Sequence, residues 1–294
     1  MHPTTRSLAT GLLAPLALLL AQTTAAAAAG DGVIETIKAV ESRVGGRVGV
    51  AAYQDATGRS WEYRAEERFP LSSTFKAFAC AALLARVDAG TEDLGRVVTI
   101  AEGDLVSYSP VTETRLGPDG MTLSEVCEAT VTLSDNTAGN IVLQSLDGPA
   151  GFTAYMRSIG DPTTRLDRWE TELNEGKPGD PRDTTTPKAA AESLRKLLFG
   201  ELLSPASRRQ LTDWMLNDKV ADALIRAAVP AGWRVADKTG AGGFGARSII
   251  AVIWPPEGAP VIAAVYMTEN AAAFAERNAA IAEIGAAIVK AVAK

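Results

Sequence analysis

The chain has 294 residues, 47% hydrophobic and 22% charged, with 29 Lys+Arg against 35 Asp+Glu. At roughly 150 residues per domain this is one large domain or two, able to bury a core, and its acidic balance without a basic block argues against nucleic acid or an anionic membrane as partner. The one histidine is His2 and the only thiols are Cys80 and Cys127, which excludes histidine-based triads, dyads and zinc sites and every four-cysteine metal centre.

Residues 1–29 predict export. Arg6 stands there without an acid, an apolar run covers Leu8 to Leu20, and Ala25 to Ala29 supply small residues, the pattern of a cleaved secretory signal. The run is short of the ~20 apolar residues that span a bilayer. Cleavage removes His2 and leaves the chain in the periplasm or secreted, with no stable membrane attachment. There a disulfide between cysteines can persist.

After the signal, Val33, Ile34, Ile37, Val40 and Val44 recur at helical spacing behind Asp31, a candidate cap. Arg47–Asp55 and Ser60–Tyr63 flank Asp-Ala-Thr-Gly and predict a hairpin. Residues 73–89 predict a strongly apolar helix that stops at Gly90. Residues 122–217 are mostly helical, broken by a charged loop from about Gly160 to Pro187 with four prolines, long enough to be functional. Strands return at Trp233–Lys238, Ala246–Trp254 and Pro260–Thr268, and an Ala-rich helix runs from about Ala271 to Val292. Short links between late strands imply antiparallel pairing. The fold class is therefore α/β (α+β). A five-stranded antiparallel sheet comes from both chain ends, about 30–71 and 218–294. A helical lobe, about 72–217, is inserted between them, with a cleft at the junction.

With no histidine, acid–base chemistry must run on Lys, Asp, Glu or Tyr. Ser73-Thr-Phe-Lys76 opens the apolar helix, where residues three apart share a face and the dipole favours negative charge on Ser73. A Ser–Lys pair can activate a serine without histidine. By itself such a tetrapeptide is usually a cap plus a solvated lysine; Lys76, however, precedes Ala-Phe-Ala-Cys-Ala-Ala-Leu-Leu, where an idle lysine would be costly to bury. Ser134-Asp135-Asn136 begins another helix, about Asp135 to Leu146, and Lys238-Thr239-Gly240 ends a strand. Separately these are a capping cluster and an edge lysine before a turn. Together, in this order, they form the set found in class A β-lactamases and penicillin-binding proteins.

The resemblance covers nearly the whole mature chain. Phe69-Pro-Leu-Ser-Ser73-Thr-Phe-Lys76, Tyr108-Ser-Pro110, Ser134-Asp-Asn136, Arg165-Leu-Asp-Arg-Trp-Glu170 with Leu173-Asn174, and Lys238-Thr-Gly-Ala-Gly resemble class A serine β-lactamase. The stretches 173–188 and 240–248 resemble its carbenicillin-hydrolysing branch, although that branch typically carries Arg where this chain has Lys238.

The resemblance implies a role for each residue. Ser73 attacks the lactam carbonyl, and the backbone N–H groups of Ser73 and Ala241 form the oxyanion hole. Ser134 relays a proton to the ring nitrogen. Lys238, Thr239 and Arg247 hold the substrate carboxylate beside Gly240, with Arg supplying a charged fork. Asn136 binds the side-chain amide and Tyr108 lines the rim. Glu170 and Asn174 position the deacylating water, with either Lys76 or Glu170 as the acylation base. Ion pairs Arg165–Asp167 and Arg168–Asp183 pin the loop, a cis peptide joins Glu170 to Thr171, and Cys80 bridges Cys127. No cofactor or metal is implied, the partner is a small β-lactam, and the protein is a monomer. Ser72 and Gly242 are not Cys, so the extra disulfide of many class A carbapenemases is absent and a penicillinase is expected.

Gly240-Ala-Gly242-Gly-Phe-Gly245 also matches a dinucleotide fingerprint, but a β-rich run follows where a helix is required. A strand-to-strand turn is the expectation. Two other functions compete: a D,D-peptidase or penicillin-binding protein, against which Glu170 and Asn174 argue, and a non-catalytic exported binding protein, disfavoured because each expected catalytic position is filled.

Overall fold

The computed structural model describes residues 1–2 and 32–293. The signal segment and the Asp31 cap lie outside the described residues. A first helix, α1, covers 32–44. The hairpin follows as β1 (Arg47–Gln54) and β2 (Arg59–Tyr63), with Ala52 opposite Trp61. The late strands are β7 (Arg234–Ala241), β8 (Arg247–Trp254) and β9 (Val261–Thr268). They join the hairpin in one five-stranded sheet of order β2-β1-β9-β8-β7, antiparallel throughout. The fold class is therefore as expected. The strand β7 runs three residues past the expected Lys238, because Thr239, Gly240 and Ala241 continue the ladder opposite Ile249, Ser248 and Arg247.

The three late strands are buried almost from end to end, since both faces of the sheet are covered. On β8, Ile249, Ala251 and Ile253 face a core shared with α1 and the final helix α8 (Phe274–Val292). Ile250 and Val252 face the other core, that of the helical region. This period-two alternation matters for the site: Asp237 and Lys238, neighbours on β7, project to opposite faces.

The helical region is built round α2 (Phe75–Asp88), whose first ten residues are all buried. About it stand α3 (Leu123–Thr132), α4 (Asn136–Gln144), α5 (Gly148–Ser158), α6 (Pro187–Phe199) and α7 (Pro205–Leu216). Thr122 and Glu125 cap α3 reciprocally, and Asp135, Thr186 and Ser204 cap α4, α6 and α7. The α4 helix is shorter at both ends than expected, because Asp135 is its cap and Ser145 closes it.

Two small sheets complete the fold. The strands β3 (Phe69–Pro70) and β6 (Thr184–Thr185) pair, as do β4 (Val97–Ile100) and β5 (Gly117–Thr122). The first ties the far end of the long loop to the chain just before Ser73.

Cys80 on α2 is bonded to Cys127 on α3 across 47 residues of sequence. Closing a loop of that length stabilises by about 4 kcal/mol in the chain-entropy picture. Thiol titration of the denatured, unreduced protein is expected to find no free thiol, and reduction to release two; free thiols before reduction would contradict the bridge.

Among the described residues no helix is long and apolar enough to cross a membrane, and no His/Cys/Asp/Glu group could hold a metal ion.

Candidate active site

Ser73 does not begin α2 itself. It sits in a 3-10 turn, Ser72–Thr74, that leads into the helix at Phe75. The turn is anchored from below: Thr74 donates its hydroxyl to Leu71 O at 2.6 Å and meets the Tyr266 hydroxyl at 3.0 Å. Ser72 takes φ 45°, a left-handed conformation uncommon for a side-chain-bearing residue. This swings Ser73 out of the helix line toward the end of β7. The approach is close. A Cβ on Gly240 would stand 2.5 Å from Ser248 Oγ and 3.1 Å from Leu71 O, so glycine is what allows β7 to pass beside the turn.

A cavity of about 420 Å³ opens there, lined by Ser73, Tyr108, Ser134, Asn136, Asn174, Thr239, Gly240, Ala241 and Arg247. Five segments distant in sequence thus converge at the junction of sheet and helices. Val220, Phe274 and Asn278 complete the wall; no sequence motif marked them. Tyr108 is 57% exposed at the rim.

Beneath the cavity lie three buried charges. Lys76, on the first turn of α2, has no exposed surface. Its ammonium donates to Ser134 O at 2.8 Å and Asn136 Oδ1 at 2.6 Å, and pairs with Glu170 Oε1 at 3.0 Å. Among the described residues none of its bonds reaches the Ser73 hydroxyl. The spacing of the motif predicts Lys76 within reach of Ser73; its donors here satisfy Glu170 and Asn136 instead. Room for the lysine comes from Gly139 on α4, where a Cβ would meet Lys76 Cε at 3.0 Å. Burial pushes the Lys76 ammonium down from its usual range, while the Glu170 carboxylate opposes that fall. A lysine so placed releases its proton more readily than a surface lysine, which suits a base.

Glu170 is 3% exposed and held on several sides. Asn174 donates to its Oε2 at 2.5 Å, and Asn140 on α4 clamps its backbone, accepting from Glu170 N at 2.9 Å and donating to Glu170 O at 3.1 Å. The Glu170–Thr171 peptide is cis, as the resemblance implied. Asn140 was missed in the sequence; a lone Asn inside a helix carries no signal of its own.

The loop that carries Glu170 is braced as expected. Arg165 pairs with Asp167 at 2.5 Å and Arg168 with Asp183 at 2.6 Å. Arg168 also reaches Glu175 at 2.5 Å. Asp183 is the hub: 1% exposed, it accepts from the N–H groups of Asp167 and Arg168 as well. Replacing a buried charged hub by Asn should lower unfolding stability by about 2–3 kcal/mol. In Asp183→Asn we expect that loss in urea unfolding together with slower breakdown of any covalent intermediate that needs Glu170. Unchanged breakdown would separate the brace from the chemistry.

The third buried charge, Lys238, is fully buried on β7 and donates to Ser134 Oγ and Thr239 O, each at 3.2 Å. Burial pushes it down to about 8, with Lys76 and Arg247 adding repulsion and Asp218 and Asp237 opposing. Arg247, held by Asn278 Oδ1 at 2.8 Å and Gly240 O at 2.9 Å, lies over the Phe274 ring at 4.9 Å and is pushed down to about 10 by burial. Arg247 in the lining, with buried Lys238 on the neighbouring strand, suits an anionic group on a ligand, with the Ser73 hydroxyl also in the lining and a lysine–carboxylate pair below it.

The glycine-rich 240–245 run ends β7 at Ala241 and continues as the turn into β8, with Phe244 at φ 52° and Gly245 at φ 74°. It is the strand-to-strand turn expected.

The family model described as "Beta-lactamase enzyme family" matches residues 32–292. Beta-lactamase AER-1 of Aeromonas hydrophila is 53% identical over 260 residues, covering 88% of this chain and 86% of its own. The solved structure of an ancestral class A β-lactamase (GNCA) superposes with a TM-score of 0.87 at 57% identity, covering 88% of this chain and 99% of that one. That of the last common ancestor of Gram-negative bacteria class A β-lactamase (GNCA4) gives 0.86 at 56% identity, covering 88% and 98%.

Proposed function

Because this chain belongs to the class A β-lactamase family and hydrolyses β-lactams, we propose that its substrates are penicillins, carbenicillin among them, opened through an acyl-enzyme on Ser73. The hydrolysis is the reaction by which such enzymes confer antibiotic resistance.

Ser73 is the nucleophile, and Lys76 or Glu170 removes its proton. The N–H groups of Ser73 and Ala241 receive the oxyanion, and Ser134, bonded to Lys238, passes a proton to the leaving nitrogen. Lys238, Thr239 and Arg247 take the ring carboxylate, Asn136 the side-chain amide, and Tyr108 borders the entrance. Glu170, with Asn174, then directs water at the ester. The observation that carries this reading is the buried Lys76–Glu170 pair with Asn174 on the carboxylate, set under the serine cavity. A peptidase with the same serine, lysine and Ser134 has no need of a second carboxylate aimed at a penicilloyl ester. The carbenicillin assignment rests on the 173–188 and 240–248 stretches. The enzyme acts as a monomer after export and loss of residues 1–29. About 30–71 and 218–294 form its α/β lobe and about 72–217 its helical lobe.

A chromogenic cephalosporin tests the reading. Continued turnover supports it, and one stoichiometric burst followed by arrest would mark a penicillin-binding protein. Comparable kcat/KM for carbenicillin and benzylpenicillin supports the narrower assignment; a carbenicillin value lower by about 10²-fold, two powers of ten of discrimination, would contradict it.

A further inference from the structure

Behind the carboxylate-binding end of the cavity lies a pair of acids that no motif announced. Asp218, just past α7, is 2% exposed, and Asp237 on β7 is 0% exposed. The two carboxyls act on each other's charge, which makes them electrostatic neighbours. Arg226 forks onto Asp237, giving Nε to Oδ2 at 2.8 Å and Nη2 to Oδ1 at 3.1 Å. Asp218 Oδ1 accepts the Val220 N–H at 2.7 Å, but its Oδ2 is buried without a donor among the described residues.

A buried carboxylate oxygen with no donor, facing a second carboxylate, is not stable as an anion. One proton between the two acids removes the repulsion and supplies the missing bond. Arg226 already satisfies Asp237 as an anion, so the proton belongs on Asp218 Oδ2, donated toward Asp237. Burial raises both acids, Asp237 up to about 7 against the pull of Arg226. The proton therefore leaves near neutrality, as a property of the pair.

Lys238 feels this proton. The charges that face it are Asp218, Lys76 from α2, Asp237 from its own strand and Arg247 from β8, and Asp218 leads them. Asp218 leads for Arg247 as well, which Arg277 repels from α8. Arg226 acts on the two acids and is itself drawn by Asp222. We propose that Asp218 and Asp237 share one buried proton, and that Asp218, once it loses that proton, is the counter-charge that keeps Lys238 an ammonium ion for the substrate carboxylate. Asp218 is a positioning residue that acts through Lys238; this rests on Lys238 holding the carboxylate as proposed above. Below neutrality the protonated acid does not compete with the substrate for the lysine. As pH rises toward the range where Lys238 would go neutral, the pair ionises and opposes that loss.

Asp218→Asn keeps a donor toward Asp237 but can never ionise. Steady-state kinetics on benzylpenicillin would run from about pH 6 to about pH 9.5 in wild type, Asp218→Asn, Lys238→Arg and the double variant. The kcat/KM ratio of Asp218→Asn to wild type is expected to stay level on the acid side. It should then fall by about tenfold toward the alkaline end, equivalent to one unit of displacement of Lys238, with the loss in KM. In the Lys238→Arg background the ratio should stay level throughout, because guanidinium does not titrate in this range. A ratio independent of pH, or an alkaline fall that persists in the Lys238→Arg background, would overturn the role.

A second measurement needs no variant and no substrate. Carboxyl-labelled aspartate NMR of the wild type should show one buried protonated carboxyl at about pH 6 that titrates near neutrality. Its absence would overturn the shared proton. Failure of the Lys238 reading would show separately, as a Lys238→Ala enzyme that binds substrate as tightly as wild type, and would remove the role of Asp218 with it.

Discussion

Glu170→Ala is expected to react with benzylpenicillin and then stall as a covalent adduct. Acylation needs the Ser73 hydroxyl, a base, the oxyanion donors and a proton for the leaving nitrogen. Lys76 retains two of its partners without Glu170, Ser134 O and Asn136 Oδ1, and so stays in place below the serine. Deacylation needs a water held against the ester and a base to take its proton. Glu170 is the carboxylate placed for that task, fixed by Asn174 at 2.5 Å and by Asn140 on its backbone. Losing a general base costs about 10²–10⁴-fold, and here the loss should fall mainly on the second step. Rapid mixing should show a burst equal to the enzyme concentration followed by slow turnover. Undiminished steady-state turnover would show that another group activates the water.

Lys76→Ala is expected to strike both chemistry and stability. The lysine and Glu170 have no exposed side-chain surface and face each other at 3.0 Å. Removing one partner leaves a buried carboxylate uncompensated, a loss of about 3–5 kcal/mol. Denaturant unfolding should therefore show a clear stability deficit against wild type. Acylation should slow by about 10²–10⁴-fold, because the serine loses a base or the group that orders it. A variant as stable as wild type that acylates at the wild-type rate would contradict the buried pair.

How much of this was legible in the sequence follows from which signals are local. The strands β8 and β9 are apolar runs of ordinary length between turn residues, and α2 is an apolar helix stopped by glycine; these elements declare themselves. The β4–β5 pair did not, because Gly-Pro-Asp-Gly-Met-Thr reads as a turn and takes its strand form from the partner beside it. Ser73 was assigned to the helix, whereas its 3-10 turn is set by β7 and Tyr266, which lie more than a hundred residues away in sequence.

The same division runs through the site. Ser73, Lys76, Ser134, Asn136 and Lys238 stand in short motifs whose spacing survives without the fold. Asn140, Val220, Phe274 and Asn278 are isolated residues brought to the cavity or to Glu170 only by tertiary packing. Asp237 offered a faint signal, an acid between Ala236 and Lys238 in a strand whose neighbours are buried. Its partner Asp218 offered none, since an aspartate after a helix is most often solvated.

The central claim is that β-lactam hydrolysis passes through an ester on Ser73. Peptide mapping by mass spectrometry of Glu170→Ala, quenched after mixing with benzylpenicillin, tests it most directly. The account predicts the intact penicillin mass on the peptide that contains Ser73, and neither adduct nor hydrolysis in Ser73→Ala. An adduct on another residue, or hydrolysis that continues at the wild-type rate in Ser73→Ala, would contradict it.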